Sequence, residues 1–298
     1  MEINGWIIYN GYLQGNKFLD FAEWLKTAAS QKGITTTIWK NNELLPYLTS
    51  HHTGLIFNDG HQIPDFVIFT DKDIYLATQL EQMGIRVYNC SDAIRISDDK
   101  ILTYQALSAD NLPIPKTIIA PKIFTNDIEI DHDVCQGAIN TLGLPMILKE
   151  AFGSFGEQVY LVHTIDELEQ KVSSLQGKAF IFQEFIDSSY GKDMRLHVVG
   201  DKVVAAMIRT APDDFRANVT AGGTTQAYQP SEKEMEMAVA ATKAIGADFA
   251  GVDLLFGIDG NPIICEINSN AHIRNMYDCT GINVADYIID YILNIQKT

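Results

Sequence analysis

Val252-Asp253-Leu254-Leu255-Phe256 and Ile263-Ile264-Cys265-Glu266-Ile267-Asn268 are two strand-like runs joined through Ile258-Asp259-Gly260-Asn261. Asp-Gly between apolar runs is a strong hairpin turn signal. A turn centred on Asp259-Gly260 pairs residues whose numbers sum to 519, so Asp253 faces Glu266 across the hairpin. Asn268, two residues beyond Glu266, lies on the same face. Two carboxylates directly opposite each other repel, and their flanking residues are apolar. A hard divalent cation, Mg²⁺ or Mn²⁺, would resolve the conflict, because it takes oxygen ligands and commonly also holds substrate phosphates. Spacing alone leaves a second reading open: a solvated polar edge, or one protonated carboxyl.

Upstream of the hairpin lie several segments with charge or glycine in suggestive places. Lys149 ends the apolar run Met146 to Lys149, immediately before a loop carrying Gly153, Ser154 and Gly156. Such a loop can bring backbone N–H groups against phosphate oxygens, with a neighbouring lysine supplying charge. It is neither a Walker A sequence nor GxGxxG, and an ordinary hairpin with a glycine turn has the same pattern. Lys100 follows Ser97-Asp98-Asp99, which reads as a helix start capped by Ser97. Gln183-Glu184-Phe185-Ile186 ends another apolar strand. Arg209 closes the strand from Lys202, and Arg216 and Asn218 follow in a polar loop with Gly222-Gly223. Arginine suits planar recognition of phosphate and carboxylate.

The first ~95 residues alternate strand and helix signals, which predicts a small α/β layer with a mostly parallel sheet. Its strands are expected at Trp6–Tyr9, Ile34–Trp39, Asp65–Thr70 and Ile85–Tyr88. Thr164…Glu167 and Ser231…Glu234 are capping boxes that open later helices. The net charge of −16 over 298 residues argues against nucleic acid as the main partner. No apolar run approaches the ~20 residues needed to span a bilayer, and the N-terminus lacks signal-peptide character. Four scattered cysteines without a CxxC pair read as free thiols, and the expected location is the cytoplasm.

Taken in order, these segments resemble the ATP-grasp superfamily, and within it the RimK-type carboxylate–amine (α-L-glutamate) ligases. The resemblance runs from about Ser97 to the C-terminus. It comprises Ser-Asp-Asp-Lys at 97–100, the Lys149 strand and its loop, Gln183-Glu184-Phe185-Ile186, and Asp193 and Arg195 in Lys-Asp-Met-Arg. Phe215-Arg216-Ala217-Asn218, Gly222-Gly223, Ala250-Gly251-Val252-Asp253 and Cys265-Glu266-Ile267-Asn268 complete it. The resemblance implies an α/β and α+β chain: an ATP-grasp fold preceded by a small N-terminal α/β domain. The expected units are residues 1–95, a central lid at 96–182 and a C-terminal subdomain at 183–298.

Residue by residue, the resemblance implies that Lys100 and Lys149, with Gly153, Ser154 and Gly156, hold the phosphates of ATP. Glu184 and Phe185 would take the adenine, and Asp193 the ribose side. Arg209, Arg216 and Asn218 would act at the phosphates and acceptor. Asp253, Glu266 and Asn268 would ligate usually two Mg²⁺ or Mn²⁺ ions. The implied activity joins a small-molecule or peptide carboxylate to an amine through an acyl phosphate. Homo-oligomers are common among such enzymes. A non-catalytic ATP-binding regulator and a peptide-maturation enzyme are the other expectations. Two departures stand on the acceptor side: Ser269-Asn270-Ala271-His272 replaces a Pro-Gly continuation, and Ala221 stands where the ribosomal-protein glutamate ligases have Arg.

Overall fold

The computed structural model describes residues 3–57, 62–122, 132–153, 156–217 and 223–296. Ser154, Asn218, Ala221 and Gly222 lie outside the described residues.

The N-terminal layer holds β1 (Asn4–Tyr9), α1 (Lys17–Gln31), β2 (Thr35–Lys40), the hairpin β3 (Leu45–Leu48) and β4 (Thr53–Ile56), β5 (Phe66–Phe69), α2 (Ile74–Gln82) and β6 (Arg86–Tyr88). Four strands form a parallel sheet in the order β2-β1-β5-β6. Its strands are apolar on both faces because α1 covers Ile7 and Ile68 while α2 covers Trp6, Ile8 and Phe69. The four expected strands are all present, within two residues at each end.

α3 (Ser91–Asp98) and α4 (Lys100–Ala109) follow. The helix carrying Lys100 is capped by Asp99, not Ser97: the Asp99 carboxylate accepts from the N–H groups of Ile101 and Leu102. Ser97 lies in the last turn of the preceding helix instead, and its hydroxyl donates to the Ile94 carbonyl. α3 runs on to Asp98, so Asp99 is the non-helical residue left between the two helices to cap α4.

The central sheet contains β7 (Thr117–Ile119), β8 (Met146–Glu150), β9 (Val159–Val162) and β10 (Phe180–Glu184), in the antiparallel order β7-β10-β8-β9. Helices α5 (His132–Leu142) and α6 (Ile165–Ser174) pack on one face through Cys135, Ala138, Leu168 and Val172.

The C-terminal sheet contains β11 (Lys192–Val199), β12 (Lys202–Thr210), β13 (Thr224–Ala227), β14 (Phe249–Phe256) and β15 (Pro262–Asn268), in the antiparallel order β13-β12-β11-β14-β15. Helix α7 (Glu232–Ala244) starts at a complete Ser231–Glu234 capping box. With α4 it covers one face, built from Met194, Leu196, Val252, Leu254 and Ile264. Helices α8 (Arg274–Thr280) and α9 (Val284–Gln296) cover the lower half of the other face, around Ala205, Met207 and Phe249. They share this core with α1 and the N-terminal sheet, so the first layer is docked on the third by continuous apolar packing. Among the described residues no helix is long and apolar enough to cross a membrane.

The β14–β15 hairpin places Asp253 opposite Glu266, as the turn arithmetic predicts, by a different route. Near the turn the pairs sum to 518, and Gly257 and Asn261 close it by a 3.0 Å hydrogen bond. Gly260 takes φ +70°, a conformation that glycine adopts without strain. A one-residue irregularity at Cys265 then restores the 519 register.

Candidate active site

The upper half of the α8/α9 face of the C-terminal sheet is polar. Because side chains alternate, residues 193, 195 and 197 of β11 share it with Arg209 of β12, Asp253 of β14 and Glu266 and Asn268 of β15. The register arranges them in rows: Arg195, Asp253 and Glu266 in one, His197, Gly251 and Asn268 in the next.

Four of these side chains form a closed charge network. Arg209 donates to both oxygens of Asp193, at 2.7 and 2.5 Å, and reaches Asp253 at 2.8 Å. Arg195 grips Asp253 through Nε and, at 2.7 Å, through its terminal nitrogen. Two arginines and two aspartates balance, which is what allows charge to persist at this depth. Burial raises Asp193, and Arg209 only partly offsets it. Burial works upward on Asp253 too, but Arg195 and Arg209 together hold it below the ordinary carboxylate range. Beside them His197 is 3% exposed, and its Nε2 has no hydrogen-bond partner among the described residues. Burial, reinforced by the Arg195 charge, lowers its pKa to about 3, so the imidazole is neutral.

The lysines are placed differently. Lys149 is the penultimate residue of β8, with Nζ 3.1 Å from the Tyr104 hydroxyl and 3.7 Å from Cys265 Sγ. The Tyr104 hydroxyl in turn donates to the Cys265 carbonyl at 2.6 Å, tying the central sheet to β15. Lys100 Nζ lies 3.4 Å from the Gly153 carbonyl and 3.9 Å from Glu266. Burial lowers the Lys100 pKa, with Glu266 acting against it. Both ammonium groups are buried, and neither is in direct contact with a carboxylate among the described residues beyond that long Lys100–Glu266 approach.

Around this centre the other expected residues fall into place unevenly. Glu184 is exposed at the end of β10, and its carboxylate accepts from the Lys116 N–H at 3.1 Å. Phe185 meets Tyr190 edge-on at 6.2 Å. Arg216 is held by Asp214 and donates to the Gly156 carbonyl at 2.7 Å, so it ties the polar loop to the glycine loop. Asp193 faces Arg209 rather than an open cleft. The sequence singles out Arg195 within Lys-Asp-Met-Arg but assigns it no role, and it misses two participants: His197, although the period-2 alternation of Lys192–Val198 contains it, and Tyr104, which sits on a helix far from any motif.

The donor set fits a hard divalent cation in chemistry: two carboxylates and one amide oxygen. Glu266 is partly exposed and points no closer than 3.9 Å to Lys100. Asp253 has both oxygens on guanidinium groups, so it would exchange an arginine for a metal. No cluster of three or more His, Cys, Asp or Glu stands ready-made among the described residues.

A mixed α/β chain with two antiparallel sheets facing each other across buried lysines and a carboxylate pair is the architecture of an ATP-grasp ligase, an enzyme class that forms carbon–nitrogen bonds between carboxylates and amines. The chain belongs to the RimK-like ATP-grasp family, whose profile matches residues 97–292. A probable alpha-L-glutamate ligase of Stenotrophomonas maltophilia (strain R551-3) is 37% identical over 223 residues, covering 74% of this chain and 73% of that protein. A probable alpha-L-glutamate ligase 1 of Shewanella oneidensis is 40% identical over 217 residues, covering 72% and 69%. The ATP-grasp ligase PsnB, solved with a phosphomimetic variant of its minimal precursor, Mg and ADP, matches with a TM-score of 0.71 at 18% identity, covering 99% of each chain.

Proposed function

We propose that this ligase transfers the γ-phosphoryl group of ATP to a carboxylate on an amino acid or peptide, then joins the acyl group to an amine. A carboxylate oxygen attacks the γ-phosphorus and ADP leaves. The amine nitrogen attacks the carbonyl carbon of the acyl phosphate, the C–O bond to phosphate breaks, and the amine gives up a proton. The observation that carries this reading is the convergence of two lysines from different elements on the end of β15: Lys100 approaches Glu266 and Lys149 approaches the adjacent Cys265.

Lys100 and Lys149 bind the phosphates, together with the glycine loop at Gly153, Ser154 and Gly156. Glu184 and Phe185 lie at the strand end that would hold the adenine. Arg209 and Asp193 act as a preformed pair beside the transferring group, positioned before the substrate arrives. Arg216 latches the glycine loop over the phosphates and limits hydrolysis of the acyl phosphate, and Asn218 completes the polar loop. Mg²⁺ or Mn²⁺, as one or two ions on Asp253, Glu266 and Asn268, supplies charge neutralisation at the phosphates when bound. We take the chain as three units divided near residues 95 and 183, acting in the cytoplasm, with self-association open to measurement by light scattering.

The relatives' names place glutamate among the first carboxylates and amines to try, with other amino acids and dipeptides beside it. The test is a pooled screen for ADP release with mass spectrometry of products. A new amide of the summed mass supports the reading, whereas phosphate transfer to water alone across all pools contradicts it.

A further inference from the structure

Asp71 lies outside the network just described and is one of the most buried acids in the chain, at 4% exposure. It follows β5 at the carboxyl end of the parallel sheet. Its oxygens accept from the Asn10 side-chain amide, at 3.1 and 3.2 Å, and from the neighbouring Lys72 backbone N–H. A carboxylate has about four lone-pair sites, so this leaves it under-used. No lysine or arginine forms an ion pair with it among the described residues. A buried carboxylate without a direct ion pair is costly to the fold, and such groups cluster at functional sites.

Topology gives an independent reason to look here. β1 connects through α1 to β2 on one side, while its other neighbour, β5, connects through α2 to β6 in the opposite direction. The strand order therefore reverses between β1 and β5. Ligands of such sheets bind in the crevice beyond the carboxyl ends at that reversal. Asn10 follows β1 and Asp71 follows β5, so the pair sits at that crevice. Thr70 is pinned to β1 by two bonds to the Ile8 carbonyl, at 2.8 and 2.9 Å, which fixes the end of β5. The Gly11 N–H is fixed by the Asn41 side chain at 3.0 Å.

The carboxyl end of β5 lies on the same side as the lysines assigned above to the phosphates. Lys72, the next residue, forms an ion pair with Asp98, two residues before Lys100. Lys72 and Lys100 lie near enough for one charge to depress the other. Ser97 meets Ser269, just past Asn268, at 2.8 Å. A group held at Asp71 is thus close to where the acyl phosphate forms, on the N-terminal side of the cleft.

We propose that Asp71, oriented by Asn10, binds a primary ammonium group of the ligase's amino-acid or peptide substrate. The inference rests on the ligase reading and adds a residue and a charge requirement to it. A positive group replaces part of the Asn10 contact and gives Asp71 a direct counter-ion, which Lys72, paired with Asp98, does not provide. Burial raises the free carboxyl's pKa, and the Lys72 N–H, the Asn10 amide and the Lys72 charge only partly offset it.

The test uses the full chain with Mg·ADP and pools of the proteinogenic amino acids and alanyl dipeptides, each with its N-acetyl counterpart, observed by saturation-transfer NMR. Free amines bind, N-acetylation weakens binding at least about tenfold, and Asp71→Asn does the same. Asp92→Asn, on the exposed end of α3, leaves affinity unchanged. Equal binding of acetylated and free forms overturns the proposal, and that comparison needs no variant should Asp71→Asn misfold. Unchanged affinity in a folded Asp71→Asn protein also overturns it, as does Mg·ADP binding without any bound amine. Failure of Mg·ADP itself to bind would instead count against the ligase reading.

Discussion

The arginines and the lysines of this site are prepared in opposite ways. Arg195 and Arg209 are matched, charge for charge, by Asp193 and Asp253. Lys149 rests on a hydroxyl and a thiol, and Lys100 reaches a carboxylate only at 3.9 Å. A balanced network needs nothing from outside and fixes geometry. Two buried lysines short of negative charge are a place where anionic phosphates would be stabilised. The contrast teaches that the arginines fix the geometry of the sheet face, whereas the lysines carry charge that no carboxylate among the described residues meets at contact distance.

If that division is right, changes at the two groups should fail differently. The largest effect is expected at Glu266→Ala: ADP formation falls by about 10²–10³-fold while the melting temperature is nearly unchanged, since Glu266 is partly exposed. Comparison of turnover and thermal melts checks this. Asp193→Asn should do the reverse and unfold the protein more easily, by roughly 3–5 kcal/mol, because it leaves Arg209 under-compensated in the interior. Urea denaturation measures it, and a loss below about 1 kcal/mol would mean the network is looser than drawn.

His197 gives a pH signature of the same buried face. Its folded pKa, about 3, lies below the ordinary value near 6.5. Stability from the neutral imidazole is therefore fully present above pH 6.5 and is lost as pH falls toward 3. Over that window the unfolding free energy should drop by about 1.4 kcal/mol per pH unit from this group. His197→Phe should flatten the slope by that amount in denaturation curves at several pH values. The smallest effect is expected far from the site: Ser231→Ala removes a cap and costs about 1 kcal/mol, with activity unchanged.

Much of the fold was legible in local patterns. The N-terminal strands are apolar runs bounded by turns, and Asp259-Gly260 marks the hairpin, although the Asp253–Glu266 pairing depends on the irregularity at Cys265 as well. The bulge at Cys265 was not legible, because a one-residue irregularity depends on how the strand meets its neighbours. The closure of Asp253 on Arg195 could not be read either, since the partners lie 58 residues apart and meet only through the β11–β14 register. Asp71 was passed over for the same reason: its significance comes from Asn10, 61 residues away, and from the strand order. Ser97 lost its expected capping role to Asp99 because two adjacent helices compete for one acidic run.

The claim that the lysines are held for phosphate is tested most directly by calorimetry of Mg·ADP binding to Lys149→Met. Methionine keeps an unbranched apolar stem while removing the charge, so the protein should stay folded and bind nucleotide at least tenfold more weakly. A folded Lys149→Met protein with the affinity of the parent chain would contradict the account.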